Sequence, residues 1–271
     1  MAATGPFARN YGPWALVTGA SSGIGEHFAR LLAAEGLDLV IVARREERLE
    51  ALASELRALH GVAVEAQTLD LARADSAETL LAVCAGRDIG LVVSNAGIGL
   101  KGAHADQSPE ELAEMLAVNC RAPLLIANAF APRLAERGRG GLLLVGSIEA
   151  YVGFPYSAAY SASKAFVRGF GEALWAELRG CGVDVLVLAP GPTDTEILSR
   201  SGFEPEDMTG LMSPEEVARQ ALAHLGRGPS FVPGAVNRVL TTALSLLPRR
   251  LAVTLAGKGM RAALEKVRTR G

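Results

Sequence analysis

Cysteine and histidine are scarce in this chain, which has three of the first and four of the second among 271 residues. Cys84, Cys120 and Cys181 are widely spaced and form no C-x-x-C pair, so we expect reduced thiols rather than a disulfide framework. The histidines have no H-x-x-x-H or mixed Cys/His spacing, which argues against a metal site. The sequence therefore predicts no metal ion and a cytoplasmic location.

A dominant charge and a long apolar run are also missing. The chain has 27 basic and 29 acidic residues, a net charge of −2, so it has no general attraction for polyanions and nucleic acid is excluded as a partner. There is no uninterrupted apolar run of about 18 residues that would span a membrane. The N-terminal segment lacks the basic start and apolar run of a signal peptide, so we expect a soluble protein.

Short runs rich in valine and leucine indicate buried strands, and amphipathic segments between them indicate helices. Because parallel strands need crossover connections, this alternation predicts an α/β fold with helices on both faces of a parallel sheet. The expected strands cover 14–19, 37–43, 62–69, 89–96, 141–147, 183–190 and, more weakly, 230–233. The expected helices cover 23–35, 45–59, 73–85, 108–136, 157–179 and 213–225.

The domain organisation follows from the same pattern. No repeat or long linker divides the chain, so we predict one domain over 1–271, with a core at about 12–233 and a helical tail at 234–271. Ser108 and Ser213 each precede a proline and two glutamates, which is typical of helix N-caps.

A glycine-rich segment, TGASSGIG at 18–25, joins the first strand to the first of these helices. Glycines allow a sharp turn and close approach of a ligand, and a helix N-terminus attracts a pyrophosphate. We therefore predict nucleotide binding by Gly19, Ser21, Ser22, Gly23, Ile24 and Gly25. The segment also contains G-x-S-x-G, the nucleophile elbow of α/β hydrolases, which leaves a serine hydrolase using Ser21 as an alternative. That alternative needs a downstream histidine, and His224 is the only late one.

The spacing G-x-x-x-G-x-G begins a resemblance to the short-chain dehydrogenase/reductase family, compact single-domain branch. The resemblance continues through an aspartate after the third strand, NAG after the fourth, a serine after the fifth, YSASK and PGPTDT. It implies a Rossmann-type, doubly wound sheet in the order 3-2-1-4-5-6-7 and a nicotinamide cofactor. The further cofactor-binding residues that it implies are Asp70, Leu71, Asn95, Ala96, Gly97, Pro190, Gly191, Thr193 and Thr195, with Tyr160 and Lys164.

A tyrosine–lysine pair is the expected centre of the chemistry. Tyr160 and Lys164 are four residues apart on an expected helix and so share a face. A cation within about 4–6 Å can lower a phenol pKa by about 1–3 units, toward the operating pH. The resemblance adds Ser147, as a donor to the substrate oxygen, and Asn119, which would hold a relay water. The predicted catalytic residues are thus Asn119, Ser147, Tyr160 and Lys164.

The two arginines after the second strand, Arg44 and Arg45, bear on the choice of cofactor. A guanidinium suits a 2′-phosphate, whereas a carboxylate at this place would repel it. We therefore expect Arg44 to select NADP(H) over NAD(H). The alternative is that both arginines only begin a solvated helix.

The substrate is less defined than the cofactor. Glu149, Tyr151 and Tyr156 follow Ser147 and are candidate substrate residues, although Glu149 alternatively points to solvent. The expected function is a carbonyl reductase for an apolar, steroid-like or acyl-like substrate, interconverting a ketone or aldehyde with an alcohol. A 3-oxoacyl-thioester reductase and a non-catalytic NADP-sensing module remain alternatives.

The C-terminal tail is expected to be helical. Val236, Val239, Leu240 and Leu247 recur at helical spacing, so this helix should pack on the domain or on a neighbouring subunit. Residues 249–271 hold seven basic residues and one acidic residue, which alternatively suits peripheral contact with an anionic membrane. The family resemblance implies a homodimer or homotetramer.

Overall fold

The computed structural model describes residues 5–200 and 202–270. Within them, seven parallel strands form one sheet in the order β3-β2-β1-β4-β5-β6-β7, which confirms the predicted order. The strands are β1 (Trp14–Thr18), β2 (Asp38–Ala43), β3 (Val64–Thr68), β4 (Ile89–Ser94), β5 (Gly140–Val145), β6 (Val183–Leu188) and β7 (Ser230–Phe231).

Helices connect these strands. They are α1 (Pro6–Tyr11), α2 (Gly23–Ala34), α3 (Glu46–His60), α4 (Ser76–Val83), α5 (Pro109–Leu116), α6 (Ala122–Arg137), α7 (Ala158–Leu178), α8 (Glu196–Arg200), α9 (Pro214–His224), α10 (Ala235–Leu246) and α11 (Arg249–Arg270). The hydroxyls of Ser108 and Ser213 accept backbone N–H bonds at the starts of α5 and α9, which confirms both predicted caps.

The core lies on both faces of the sheet because successive strand residues point to opposite sides. Val17 and Ile41 pack into one apolar layer with α2, α3 and α9, whereas Leu16 and Val40 pack into the other with α4, α6 and α7. All four of these strand side chains are fully buried. This is the doubly wound arrangement, and it leaves the carboxyl ends of the strands open at one edge.

The expected helix at 108–136 is interrupted. A π-helical turn, Ala117–Arg121, separates α5 from α6. The whole stretch Pro109–Arg137 is long and apolar enough to cross a membrane by length and composition. Ile126, Phe130 and Leu134 are nevertheless fully buried on the sheet side of α6, so this stretch is a core helix of the fold.

The tail forms the expected helices, and part of its apolar stripe is exposed. The apolar stripe of α10 faces outward, with Val236, Val239 and Leu240 exposed by 52%, 68% and 43%. The inward face carries the polar residues Asn237 and Thr241, which are buried. Of the two expected alternatives, packing of these side chains on their own domain is therefore not seen, and packing on a neighbouring subunit stays a prediction. The reason for the polar inward face is that three glycines leave room for Asn237, whose amide donates to the Gly210 carbonyl oxygen at 2.9 Å.

Candidate active site

Strands β1, β4, β5 and β6 end at the same edge of the sheet, where the chain order reverses between β1 and β4. Asn95 bridges the two ends: its amide donates to the Thr18 carbonyl oxygen at 3.0 Å, and its N–H donates to the Thr18 hydroxyl at 3.0 Å. Ala96 N–H donates to the same hydroxyl at 3.2 Å. A Cβ on Gly97 would lie 3.3 Å from Lys164 Nζ, so the NAG segment passes directly beside the reacting residues.

Tyr160 and Lys164 lie one turn apart near the start of α7, as predicted. Lys164 is 4% exposed and donates to the Val145 carbonyl oxygen at 2.9 Å. Its Nζ lies 5.7 Å from the centroid of the Tyr160 ring. Tyr160 itself is partly exposed. Helix α7 therefore places the Lys164 ammonium next to a tyrosine that is partly exposed.

The pKa balance of the protein alone differs from the sequence expectation. Burial, and then the negative charge of Glu149, raise the pKa of the Tyr160 phenol well above its usual range, while a hydrogen bond with Ser147 lowers it. Burial lowers the pKa of Lys164 to about 8, against the opposing effects of Cys120 and Glu149. Lys164 alone therefore does not lower the pKa of the Tyr160 phenol to near neutral. Tyr160 carries its proton at neutral pH, which is the state that a general acid needs.

Ser147 and Asn119 complete the predicted group. Ser147 follows β5, is 7% exposed, and its hydroxyl accepts the Glu149 N–H at 3.2 Å. Asn119 lies in the π-helical turn and is almost fully buried. Its amide donates to the Ile98 carbonyl oxygen at 2.9 Å and accepts the Ile98 N–H at 2.8 Å. Such turns are frequent at functional sites, and here one pins the segment that follows NAG.

The glycine-rich loop has the shape that a dinucleotide requires. Gly19 has φ of +68°, and a Cβ there would lie 2.8 Å from the Asn95 amide nitrogen. Ser22 is the N-cap of α2 but makes no side-chain cap bond, so the first N–H groups of the helix can bind an anion. Thr195 lies against this loop, since its methyl would be 3.0 Å from a Cβ on Gly23. The residues present therefore fit a pyrophosphate.

Arg44 and Arg45 have separate places. Arg44 lines a cleft of about 470 Å³ with Asp70 and also pairs with Glu114 at 2.7 Å. Arg45 turns toward the glycine loop, where it donates to the hydroxyls of Ser21 at 3.0 Å and Ser22 at 2.7 Å. Arg44 and Asp70 thus share one cleft, whereas Arg45 contacts the glycine loop.

Asp70 and Leu71, two of the predicted cofactor-binding residues, follow β3. Asp70 accepts the Ala72 N–H at 2.9 Å, and Leu71 is buried. After β6, Pro190 accepts the Ile148 N–H at 3.0 Å through its carbonyl oxygen. Beyond Gly191, Thr193 pairs with Met212 in a short parallel bridge. These segments end at the same edge as Tyr160, and their contacts with a cofactor stay predictions.

Glu149 does not point to solvent. Its carboxylate accepts a hydrogen bond from Lys101 at 2.5 Å and others from the hydroxyls of Ser157 at 2.6 Å and Ser161 at 3.1 Å. The side chains of Lys101 and Glu149 are only 12% and 13% exposed. The polar partners on either side explain why the carboxylate is turned inward. Binding of a substrate by Glu149 stays a prediction.

The two other tyrosines of the loop face the C-terminal helix and α7. The Tyr156 hydroxyl accepts bonds from Arg261 at 2.6 and 3.0 Å, and Tyr156 is in the left-handed region with φ of 63°. The Tyr151 ring lies under the guanidinium of Arg168 at 3.8 Å, and its carbonyl oxygen accepts a bond from Arg249 at 2.8 Å. In the part of the chain that the structure describes, the cation against each of these rings is an arginine, so Tyr160 stays the predicted acid.

The sequence profile of the short chain dehydrogenase family matches residues 13–204. The chain belongs to this family. It is similar to the 7beta-hydroxysteroid dehydrogenase of Clostridium sardiniense, with 30% identity over 86% of this chain and 89% of that protein. It is also similar to the very-long-chain 3-oxoacyl-CoA reductase of Podospora anserina, with 37% identity over 67% of this chain and 56% of that one.

Solved structures of this family share the fold. A structure described for its 7beta-hydroxysteroid dehydrogenase stereoselectivity matches with a TM-score of 0.86 and 30% identity, over 92% of this chain and 98% of its own. A short-chain dehydrogenase from Sphingobium yanoikuyae in complex with NADPH matches with a TM-score of 0.76 and 33% identity, over 87% and 96%. As a member of this family, the chain is an oxidoreductase.

The serine hydrolase alternative is excluded by this membership and has no support in the geometry. The Ser21 hydroxyl accepts from Arg45, and His224 stacks on Phe231 with ring centroids 4.0 Å apart. Within the described residues, no hydrogen bond joins Ser21 to a histidine. The glycine loop stays the predicted nucleotide-binding segment.

Two charged residues of the site were absent from the predicted set. Lys101 was missed because it belongs to no recognised motif. Its place within five residues of the NAG motif was a signal that could have found it. Glu196 was missed because its partners are distant in sequence: it pairs with Arg45 at 2.7 Å and with Arg48. Only the folded chain brings α8 to the start of α3.

Proposed function

We propose that this oxidoreductase is an NADP(H)-dependent carbonyl reductase that interconverts a ketone with a secondary alcohol, with Tyr160 as the acid. The observation that carries the proposal is the partly exposed Tyr160 phenol with Lys164 Nζ 5.7 Å from its ring centroid, beside the NAG segment. A non-catalytic sensing module has no use for this pair. When bound, the reduced nicotinamide supplies the hydride.

The residues of the chain manage the proton and the developing charge. Tyr160 donates its hydroxyl proton to the carbonyl oxygen as the alcohol forms. Ser147, at the end of β5, donates a hydrogen bond to the same oxygen and so stabilises its negative charge. The ammonium of Lys164 stabilises the phenolate that Tyr160 becomes. Asn119 keeps the segment after NAG in place through Ile98.

Preference for NADP(H) rests on the two arginines. Arg44 lines the cleft beside Asp70, and Arg45 lies at the glycine loop, so either guanidinium can meet a 2′-phosphate. The NADPH complex of a similar dehydrogenase agrees with this choice. Arg44→Asp should reverse the preference for NADPH over NADH in kcat/KM. An unchanged ratio would exclude Arg44, and Arg45→Asp would then test the second arginine.

The substrate that we propose is an apolar ketone, steroid-like or long-chain acyl-like. The support comes from the relatives, which are named for hydroxysteroids and for very-long-chain 3-oxoacyl-CoA. A panel of steroid ketones, 3-oxoacyl thioesters and small polar ketones, followed by loss of NADPH absorbance, separates these classes. Tyr160→Phe should lose more than about a thousandfold in kcat while binding NADPH normally. Full activity of that variant would contradict the mechanism.

We also propose a homodimer or homotetramer in the cytoplasm. Leu116, Leu124 and Phe166 are exposed apolar side chains on α5, α6 and α7, exposed by 48%, 38% and 39%, and suit a helix-to-helix interface. The three cysteines are free thiols, which suits a reducing compartment. Light scattering of the purified protein and cell fractionation test the two points; a monomer, or a protein found only outside the cytoplasm, would contradict them.

Peripheral membrane contact is a second proposal, and the outward stripe of α10 favours it. That stripe precedes a helix with an excess of basic residues, a combination that binds anionic lipid surfaces. Co-sedimentation with phosphatidylserine-containing vesicles at low salt is expected, with no binding to neutral vesicles. Val239→Asp should abolish the binding, whereas Thr254→Asp on α11 should weaken it less. Failure of the unmodified protein to sediment would contradict the proposal.

A further inference from the structure

Four polar side chains outside the proposed catalytic group form a closed cluster beside Tyr160. We call Lys101, Glu149, Ser157 and Ser161 the Lys101–Glu149 cluster. Lys101 Nζ donates to Glu149 at 2.5 Å and to the Ser157 hydroxyl at 2.7 Å. Ser157 and Ser161 donate to the other carboxylate oxygen at 2.6 and 3.1 Å. Both Glu149 oxygens therefore have partners, and the ammonium has a fixed position.

The cluster draws on three separate parts of the chain. Lys101 follows β4, Glu149 lies in the 3-10 turn Ile148–Ala150 after β5, and the serines belong to the start of α7. Ser157 and Ser161 are 0% and 3% exposed. A largely buried ion pair seldom stabilises a fold in proportion to its charges, because desolvation offsets the attraction. Its place next to the reacting phenol suggests a role other than stability.

The position of the ammonium indicates that role. Lys101 Nζ lies 4.6 Å from the centroid of the Tyr160 ring, nearer than Lys164 Nζ at 5.7 Å. The phenol thus has two lysines about it, although only one belongs to the YSASK motif. Gly102 N–H donates to the Tyr156 carbonyl oxygen at 2.8 Å, which ties the Lys101 segment to the loop before α7.

We propose that Lys101 and Glu149 are positioning residues for Tyr160: Glu149, held by Ser157 and Ser161, fixes the Lys101 ammonium over the phenol ring, and the two charges set the proton affinity of the phenol in opposite directions. The proposal rests on the proposed function, in which Tyr160 is the proton donor. It assigns to this chain a second cation for the proton transfer.

The direction of each effect follows from the charges around the ring. Within the described residues, the titratable groups that face Tyr160 are Lys164 on α7, Lys101 after β4 and Glu149 after β5, with Cys120 of the π-helical turn beside Lys164. An anion near a phenol disfavours the phenolate, and a cation favours it. Loss of the Glu149 charge should lower the proton affinity of Tyr160. Loss of Lys101 leaves the carboxylate uncompensated and should raise that affinity.

The experiment is the pH profile of kcat/KM for NADPH-dependent ketone reduction. The phenol must be protonated to react, so the rate falls as pH rises through its apparent pKa. Glu149→Gln keeps the shape of the side chain and should move this fall to lower pH by about one unit. Lys101→Met should move it to higher pH, and the double variant should lie between the two. Lys101→Arg should restore the original profile.

A second readout needs neither cofactor nor substrate. The ultraviolet titration of phenolate, with the Tyr160→Phe spectrum subtracted, isolates one of the four tyrosines of the chain. In this titration too, the Tyr160 phenol should ionise at lower pH in Glu149→Gln and at higher pH in Lys101→Met. Glu216→Gln, which breaks a surface ion pair with Arg219, is the matched control and should leave both readouts unchanged.

The results distinguish a failure of the proposed function from a failure of the proposed role of the Lys101–Glu149 cluster. If Glu149→Gln lowers activity at every pH without moving either profile, the cluster is merely structural and the inference is overturned. Should Lys101→Met fail to fold, the sign of the Glu149→Gln shift still decides. If the unmodified protein reduces no carbonyl, the proposed function fails, while the phenolate titration still tests the inference.

Discussion

The Lys164 ammonium on α7 donates a hydrogen bond to the carbonyl oxygen of Val145, the last residue of β5, at 2.9 Å. This bond joins α7, which carries the proposed acid, to the strand whose end precedes Ser147. It also keeps a cation in a position that is 4% exposed. Burial of a charge costs free energy, so the charge of Lys164 lowers the stability of the fold.

The first prediction concerns that cost. The pKa of Lys164 is about 8 in the folded chain, below its ordinary 10.5, so the unfolded chain binds more protons between these values. The penalty is present in full below pH 8 and is lost as pH rises toward 10.5. Lys164→Met should therefore gain stability relative to the unmodified protein at pH 7, by up to about 3 kcal/mol more than at pH 10.5.

Urea unfolding at the two pH values measures that difference, and activity should be lost in the same variant. Lys258→Met, at an exposed position of α11, is the control and should show no pH-dependent change. An equal effect of Lys164→Met at both pH values would mean that folding does not lower the pKa of Lys164.

The second prediction concerns the pair between Arg45 and Glu196. Arg45 must release Glu196, which lies 2.7 Å away, before its guanidinium can bind a 2′-phosphate. Glu196→Gln should therefore lower the Kd for NADPH by several-fold at low salt, in keeping with a partly exposed ion pair of about 0.2–1 kcal/mol. The Kd for NADH should not change. Equal tightening of both cofactors, measured by calorimetry, would contradict the exchange.

The third prediction concerns Gly25 in the first turn of α2. A Cβ there would collide with the Gly19 carbonyl oxygen and the Asn95 amide. Because those atoms belong to the cofactor turn and cannot yield cheaply, Gly25→Ala should weaken NADPH binding by at least tenfold and lower the melting temperature. Gly153→Ala is the control, since a Cβ at that position meets nothing within 4 Å. Wild-type affinity in Gly25→Ala would show that the turn is adaptable.

The fourth prediction concerns Asn119. Its side chain satisfies both the N–H and the carbonyl group of Ile98, at 2.8 and 2.9 Å. Asn119→Ala leaves these groups unpaired and should destabilise the fold by about 1–3 kcal/mol, with a loss of kcat. Chemical denaturation and steady-state kinetics check the two effects. Loss of kcat without loss of stability would assign Asn119 to the proton path rather than to support of the segment.

Much of the fold could be predicted because its signals are local. The strands are short apolar runs, and Ser108 and Ser213 begin their helices with side-chain caps that depend on three or four adjacent residues. The π-helical turn at Ala117–Arg121 could not be predicted in this way. It depends on Asn119 reaching Ile98, twenty-one residues away.

The site residues show the same difference between local signals and contacts with distant segments. Tyr160 and Lys164 could be paired from sequence because residues four apart on a helix share a face. The direction of Glu149 could not, because its partner Lys101 is 48 residues away. The direction of the α10 stripe could not be predicted either, because amphipathic spacing fixes which residues share a face, not which way that face turns.

The sequence by itself determined the strand order through its family motifs, and it marked the glycine loop and Tyr160 as the candidates for cofactor binding and for the acid. Only the tertiary structure decided that Arg45 lies on the glycine loop, that Glu149 is paired with Lys101, and that burial rather than Lys164 dominates the pKa of Tyr160. Periodicity and motifs report neighbours along the chain. Ion pairing and desolvation depend on groups that meet only when distant segments pack together.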